Sequence, residues 1–309
     1  MGRLIDFKPE KDIPSLESKV IFVTGGTAGL GSVTIRALAK HEPEHIYFSG
    51  RNEKAGELLI AHIRETNPSV SLTFLEMDLC SLSSVKAACR KFAHKRLDIL
   101  ICNAGIMAAP PALSKDGYEI QFATNHLGHA MLIQQLLPTM LETTKISDTD
   151  VRIVCLSSDG WATHPKGGVQ FLGLKTVQDR FLGPSIRYGQ SKLANIVYAA
   201  ELARRFPSIT SVSIHPGVIN MGLLQNAPLL SRALVYTLDK VDYLDVVTED
   251  QGSLNSIYMA VGMHKNEVVN GGFYRPVGVL CNHKLDAVAK SEDFAKQLWE
   301  WTETALKDY

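Results

Sequence analysis

From Lys19 onward the chain alternates short, dense apolar runs with longer stretches in which apolar residues recur every three or four positions. The short runs at 20–24, 46–49, 71–76, 99–102, 152–156 and 211–215 are bounded by turn residues, and several are apolar throughout, as a strand must be when both faces of its sheet are covered. Strand and helix in strict alternation predict an α/β fold: a doubly wound parallel sheet of the Rossmann type, forming a single domain over residues 19–309. Residues 1–18 are expected to form an N-terminal arm, on the surface before Pro14, and 294–306 a terminal helix in which Trp299 and Trp301 pack rather than react. Two stretches break the alternation: 159–185, rich in Gly and Pro, and 222–247, rich in Leu, Ala and Tyr. Long connections of this kind serve as lids, so a substrate lid is expected at about 221–247.

Composition narrows the function classes. A 45% hydrophobic content over 309 residues fills a large core. The 32 basic residues balance the 32 acidic ones, so no net field draws nucleic acid or an anionic surface, and no nucleic-acid partner is expected. Five cysteines (Cys80, Cys89, Cys102, Cys155 and Cys281) lack a Cys-x-x-Cys pair and lie mostly in apolar runs, as reduced structural thiols do. No apolar run is long enough to span a bilayer, no basic-then-apolar leader opens the chain, and Asp6 stands where a myristoylation motif requires Ser or Thr. The expectation is a cytoplasmic protein without an integral membrane segment.

The run Thr24-Gly25-Gly26-Thr27-Ala28-Gly29-Leu30-Gly31 follows the first strand and opens a helical pattern ending near Lys40. Glycines let a backbone turn sharply and approach a pyrophosphate, whose charge is favoured at a helix N-terminus. Taken alone, the same run is also simply a tight strand-to-helix turn. At the end of the second strand, where an acidic residue would take the ribose hydroxyls of NAD, the chain reads Ser49-Gly50-Arg51-Asn52. The guanidinium fork of Arg51 suits a 2′-phosphate and so favours NADP(H), unless Arg51 is merely a solvated surface residue. After the third strand Asp78-Leu79 offers an acceptor for an adenine amino group, or a helix start.

Tyr188-Gly189-Gln190-Ser191-Lys192 opens a helical pattern running to about Arg205, which puts Tyr188 and Lys192 one turn apart on one face. A neighbouring ammonium favours a phenolate, so the pair can move a proton. Ser158 ends the fifth strand, at the carboxyl edge where ligands of open α/β sheets bind; it can hydrogen-bond a substrate oxygen or cap a loop. Asn125 lies in a long apolar helical pattern where a buried amide needs partners, and it could hold a water linking Lys192 to solvent. No carboxylate or cysteine completes a ligand set around His126 and His129, so these are read as packing histidines and no metal is expected.

Gly-x-x-x-Gly-x-Gly, Asn103-Ala104-Gly105, Asn125, Ser158, Tyr188 with Lys192, and Pro216-Gly217 occur in the order of the short-chain dehydrogenase/reductase family, which the chain resembles over nearly its whole length. The finer resemblance is to its retinol-dehydrogenase-like and WW-domain-oxidoreductase-like branch, through Asp116-Gly117-Tyr118-Glu119, Asn125-His126-Leu127-Gly128-His129 and Gln190-Ser191-Lys192-Leu193-Ala194-Asn195, without a WW domain. The resemblance implies a catalytic tetrad of Asn125, Ser158, Tyr188 and Lys192. It places cofactor contacts on Gly25, Thr27, Gly29, Leu30 and Gly31; on Arg51, Asn52, Asp78 and Leu79; on Asn103, Ala104 and Gly105; on Tyr188 and Lys192; and on Pro216, Gly217 and Val218. It also implies a homodimer or homotetramer built through the long helices. Cys102 replaces the first Asn of the usual Asn-Asn-Ala-Gly run, Met221 stands where a Thr often touches the cofactor, and 159–185 is longer than in small family members.

These features together predict an NADP(H)-dependent oxidoreductase that interconverts a ketone or aldehyde and an alcohol, with reduction favoured. Leu223, Leu224, Leu229, Leu230, Leu234 and Tyr236 ahead of Asp239 suit an apolar or aromatic small-molecule substrate, and equally suit a packed lid or subunit contact. A non-catalytic NADP(H)-sensing protein that regulates a partner is the second function class, and peripheral membrane association through the lid a third.

Overall fold

The six predicted strands all form: β1 (Val20–Thr24), β2 (His45–Gly50), β3 (Leu72–Glu76), β4 (Ile99–Cys102), β5 (Arg152–Leu156) and β6 (Thr210–Ile214). The computed structural model describes residues 6–179, 182–219 and 246–309. These six strands run parallel in the order β3-β2-β1-β4-β5-β6, with β1 and β4 side by side. The order reverses between β1 and β4, and in open α/β sheets the crevice at that point is where ligands bind. β6 begins one residue earlier than its apolar run because the Thr210 N–H reaches the Val151 carbonyl at 2.8 Å.

Strands that the pattern missed extend the sheet. A short pair, β7 (Val218–Ile219) and β8 (Val246–Val247), stands apart from it. β9 (Phe273–Arg275) adds parallel to β6, and β10 (Val279–Leu280) returns antiparallel, which makes eight strands. Pleating sends alternate residues to opposite faces, so Ile21 and Val23 join one core layer while Val20 and Phe22 join the other.

Helices cover both faces. In chain order they are α1 (Pro9–Asp12), α2 (Gly29–Ala39), α3 (Glu53–Thr66), α4 (Leu82–Cys89), α5 (Ile120–Phe122), α6 (Gly128–Thr143) and α7 (Gly183–Arg205), followed by helices Glu249–Ile257 and Glu292–Leu306. The expectation of a surface arm is corrected for its described part: Phe7, Ile13 and Leu16 are buried, and the Phe7 ring meets Tyr258 edge-on at 5.0 Å, because three apolar side chains gain more from docking than from water. In the terminal helix Trp299 stacks on Tyr198 at 5.1 Å and Trp301 meets Phe122 edge-on at 5.7 Å, so both pack. All five cysteines are free thiols, with Cys102 and Cys155 in register across β4 and β5. Among the described residues no helix is long and apolar enough to cross a membrane. Most of the expected lid lies outside the described residues; its last two, Val246 and Val247, form β8.

Candidate active site

The glycine run builds a cradle at the β1–α2 turn. A Cβ on Gly31 would stand 2.2 Å from the Gly25 carbonyl oxygen, and one on Gly25, whose φ is +66°, 2.9 Å from the Ala104 Cβ. The two backbones therefore meet where no side chain fits. The Asn103 amide donates to the Thr24 carbonyl at 2.8 Å, and the Ala104 N–H donates to the Thr24 hydroxyl at 2.9 Å, which tie the segment after β4 to the end of β1.

Among the described residues five α-helices start on a side-chain cap, from Asn52, Ser81, Glu119, Thr248 and Ser291, whereas α2, like α1, α6 and α7, has none and starts after Ala28. Its first N–H groups have no intrahelical partner and are suited to a phosphate. Asn103 Oδ1, buried beside Gly31, has no hydrogen-bond partner among the described residues. Backbone approach, an uncapped helix start and an orphaned polar atom together fit a dinucleotide, which Gly25, Thr27, Gly29, Leu30, Gly31 and Asn103 could hold. Leu30 contributes backbone, since its side chain is buried in the core.

At the edge of β2, Arg51 is exposed and Asn52 accepts the Ala55 N–H at 3.1 Å as the cap of α3. Asp78 accepts from the Cys80 N–H at 3.1 Å and pairs with Lys115 at 3.0 Å. Burial opposes its ionisation, yet Lys115, that N–H and the more distant Arg51 together hold the carboxyl below its ordinary value. Leu79 is buried, its carbonyl 2.6 Å from where a Cβ on Gly128 would stand.

The tetrad converges beyond this cradle. Asn125 sits in a π-helical turn, Ala123–Leu127, between α5 and α6, and is fully buried. Its amide donates to the Ile106 carbonyl and to the Ser191 hydroxyl, both at 2.9 Å, and accepts the Ile106 N–H at 2.8 Å. Asn125 thus joins the helix it sits on to α7 and to the segment after β4. Lys192 donates from Nζ to the Leu156 carbonyl at 3.0 Å, with Nζ 5.6 Å from the Tyr188 ring centroid. A Cβ on Gly105 would stand 3.1 Å from Asn125 Oδ1 and 3.3 Å from Lys192 Nζ. The Ser158 hydroxyl accepts the Gly160 N–H at 3.1 Å and lies beside Tyr188, with both flanking the position a Cβ on Gly160 would take.

The charges differ from the sequence expectation in one respect. Burial pushes the Tyr188 phenol up to about 12, and the Ser158 hydrogen bond opposes it. Burial also pushes Lys192 down to about 8. The ammonium is held on the Leu156 carbonyl and lies against the ring, so desolvation of the phenol outweighs the attraction expected from Lys192.

His126 in the π turn and His129 at the start of α6 are structural links. His129 Nδ1 lies 3.0 Å from the Asn125 carbonyl, which can only accept, so the ring carries its proton there and Nε2 accepts the Thr24 hydroxyl at 2.9 Å. Cradle and tetrad are joined through this ring, whose pKa burial lowers to about 4. His126 contacts the Thr302 hydroxyl at 3.0 Å, and burial lowers its pKa to about 3.

Sequence reasoning missed a second ring of support. Asp159, next to Ser158, pairs with Arg275 at 2.5 Å and with His215 at 3.5 Å, which anchors the serine's loop to the ends of β9 and β6. Gly160 lies against Tyr188, where a Cβ would come 2.7 Å from the ring. Pro216 and Gly217 follow directly, Gly217 with φ +96°, and Val218 opens β7.

A model of the short chain dehydrogenase family matches residues 19–168. A short-chain dehydrogenase/reductase of Aspergillus calidoustus is 36% identical over 309 residues, spanning 96% of this chain and 96% of its own. Retinol dehydrogenase 14 of Homo sapiens is 33% identical over 309 residues, spanning 94% of this chain and 87% of its own. The crystal structure of an uncharacterized Mycobacterium paratuberculosis protein superposes with a TM-score of 0.73 at 27% identity, over 97% of each chain. The chain belongs to the short-chain dehydrogenase/reductase family, in its retinol-dehydrogenase-like branch, and is an oxidoreductase of that family.

Gly31→Ala tests the cradle. The variant should fold, by circular dichroism, yet lose about a hundredfold in nicotinamide-nucleotide affinity, or about 2.7 kcal/mol. Wild-type affinity in fluorescence titration would place the dinucleotide elsewhere.

Proposed function

We propose that this protein is an NADP(H)-dependent reductase of ketones or aldehydes on apolar or aromatic small molecules. The observation that carries the reading is the juxtaposition of Ser158 and Tyr188 at the carboxyl edge of the sheet, where a Cβ on Gly160 would stand 3.4 Å from the Ser158 hydroxyl and 2.7 Å from the Tyr188 ring, with Lys192 one turn along α7 and Asn125 tying the surrounding segments together. When bound, the nicotinamide supplies the hydride.

The chain's own residues handle the oxygen. Ser158 and Tyr188 hydrogen-bond the substrate carbonyl, and Tyr188 gives it a proton as negative charge develops there. A phenol pushed up to about 12 keeps its proton through the neutral range, which is the state reduction requires; oxidation requires the phenolate. Lys192, protonated below about 8, supports the phenolate left after proton transfer. Asn125 holds Ile106 and Ser191 in place around them.

Preference for NADP(H) rests on Arg51. It is exposed at the end of β2, where residues 49–52 carry no carboxylate, and Lys115 stands at the neighbouring loop. A 2′-phosphate would meet the Arg51 guanidinium there, beside a Lys115 already paired with Asp78.

Wild type should bind NADPH more tightly than NADH in fluorescence titration, and Arg51→Ala should reduce that preference by about tenfold or more. Tyr188→Phe should lower turnover of an apolar aldehyde by about 10²–10⁴-fold while leaving NADPH binding nearly intact; unchanged turnover would remove Tyr188 from the chemistry. The sign of the pH effect follows from Lys192. Because its pKa is lowered to about 8, the ammonium is present below that pH and lost above it, so the reduction rate should be flat near neutrality and fall through pH 8. A rate that rises through pH 8 would contradict the role given to Lys192.

A further inference from the structure

Glu119 and Arg187 form an ion pair, 3.1 Å between Oε1 and Nε, with both side chains fully buried. Breaking even with hydrophobic packing is the ordinary outcome for such a pair, so stability alone gives little reason for one here. What the two residues hold is more informative. The Glu119 carboxylate accepts the Gln121 N–H at 3.1 Å and the Phe122 N–H at 2.8 Å, which fixes the start of the helical run that carries Asn125. Its own N–H donates to the Leu174 carbonyl at 2.7 Å. Arg187 directly precedes Tyr188, and its guanidinium donates to the Ala109 carbonyl at 2.8 Å and to the Gln178 carbonyl at 3.1 Å.

Three of the tethered segments bear on the tetrad: the α5 start that leads to Asn125, the 103–112 segment and the start of α7. Asn125 holds the 103–112 segment at Ile106, and Arg187 holds it again at Ala109. Gln121 donates to the Pro184 carbonyl at 3.0 Å, a second bond between α5 and the start of α7. Room for the guanidinium is built in at Gly183, where a Cβ would stand 2.8 Å from Arg187 Nη1. Neither residue touches Ser158, Lys192 or the Tyr188 hydroxyl in any hydrogen bond of the structure.

We propose that Glu119 and Arg187 are positioning residues, a buried clamp that sets the start of α7 and the 103–112 segment against the Asn125 turn so that Tyr188 and Lys192 meet Ser158 in register. The inference rests on the proposed reductase reading for its kinetic arm only.

Two variants test it. Arg187→Lys keeps the charge, but a point donor cannot reach Glu119, Ala109 and Gln178 together. The double variant Glu119→Gln with Arg187→Met removes both charges at once and strands neither. Both should fold by circular dichroism and bind NADPH within about threefold of wild type. Hydrogen exchange should accelerate about tenfold or more at the amides of 106–109 and 183–188, with β1 and β4 at wild-type rates. In NADPH-dependent reduction of 4-nitrobenzaldehyde, kcat should fall about tenfold or more with KM within about threefold, the pattern of misplaced reacting groups. Folded variants with unchanged exchange in both segments, or with wild-type kcat, would overturn the clamp. Wild type that binds NADPH but reduces no aldehyde would instead refute the reductase reading, and the exchange measurement would still decide the clamp.

Discussion

Gly31 runs so close to the Gly25 carbonyl that a Cβ would stand 2.2 Å from that oxygen, and the Asn103 amide locks the same corner by donating to Thr24. This meeting of the end of β1, the start of α2 and the segment after β4 is the constraint from which the rest of the site follows. It requires β1 and β4 to be neighbours, which the sheet order provides, and it requires residues 25 and 31 to lack side chains. Because the Thr24 hydroxyl also bonds His129, whose other ring nitrogen bonds the Asn125 carbonyl, the glycine cradle and the proposed proton-transfer groups share one hydrogen-bonded frame.

Electrostatics then decide what the frame can do. Tyr188 is kept neutral by burial, Lys192 is brought near neutrality by burial, and the two are one helical turn apart. Pairs of groups whose environments push them in opposite directions mark acid and base roles. In the proposed mechanism the phenol stores a proton and the ammonium answers its departure. The supporting bonds, Asp159 to Arg275 beside Ser158 and Glu119 to Arg187 beside Tyr188, lie outside the reacting atoms yet fix the loops that carry them.

Much of this was legible in the chain itself, for physical reasons. Apolar strands buried on both faces leave continuous runs, so β1, β4 and β5 match their runs residue for residue. Tyr188 and Lys192 share a helix, so their meeting follows from spacing alone. β9 and β10, of three and two residues, are too short to leave a periodic signal and owe their place to the strand they join. The buried clamp was equally invisible, since Glu119 and Arg187 are far apart in sequence and each reads as an ordinary charged residue. The sign of the Tyr188 shift was missed because spacing reports which groups meet, whereas desolvation depends on everything packed around them.

The central claim is that this frame lets Tyr188 and Ser158 receive a carbonyl while hydride arrives from bound NADPH. The most direct measurement is isotope transfer: incubation with NADPH deuterated at the transferable C4 position and an apolar aldehyde, followed by mass spectrometry of the alcohol. The account expects an alcohol one deuterium heavier than that formed with unlabelled NADPH. NADPH bound tightly across a broad panel of carbonyls with no labelled alcohol from any of them would contradict it, and would leave a nucleotide-sensing protein in its place.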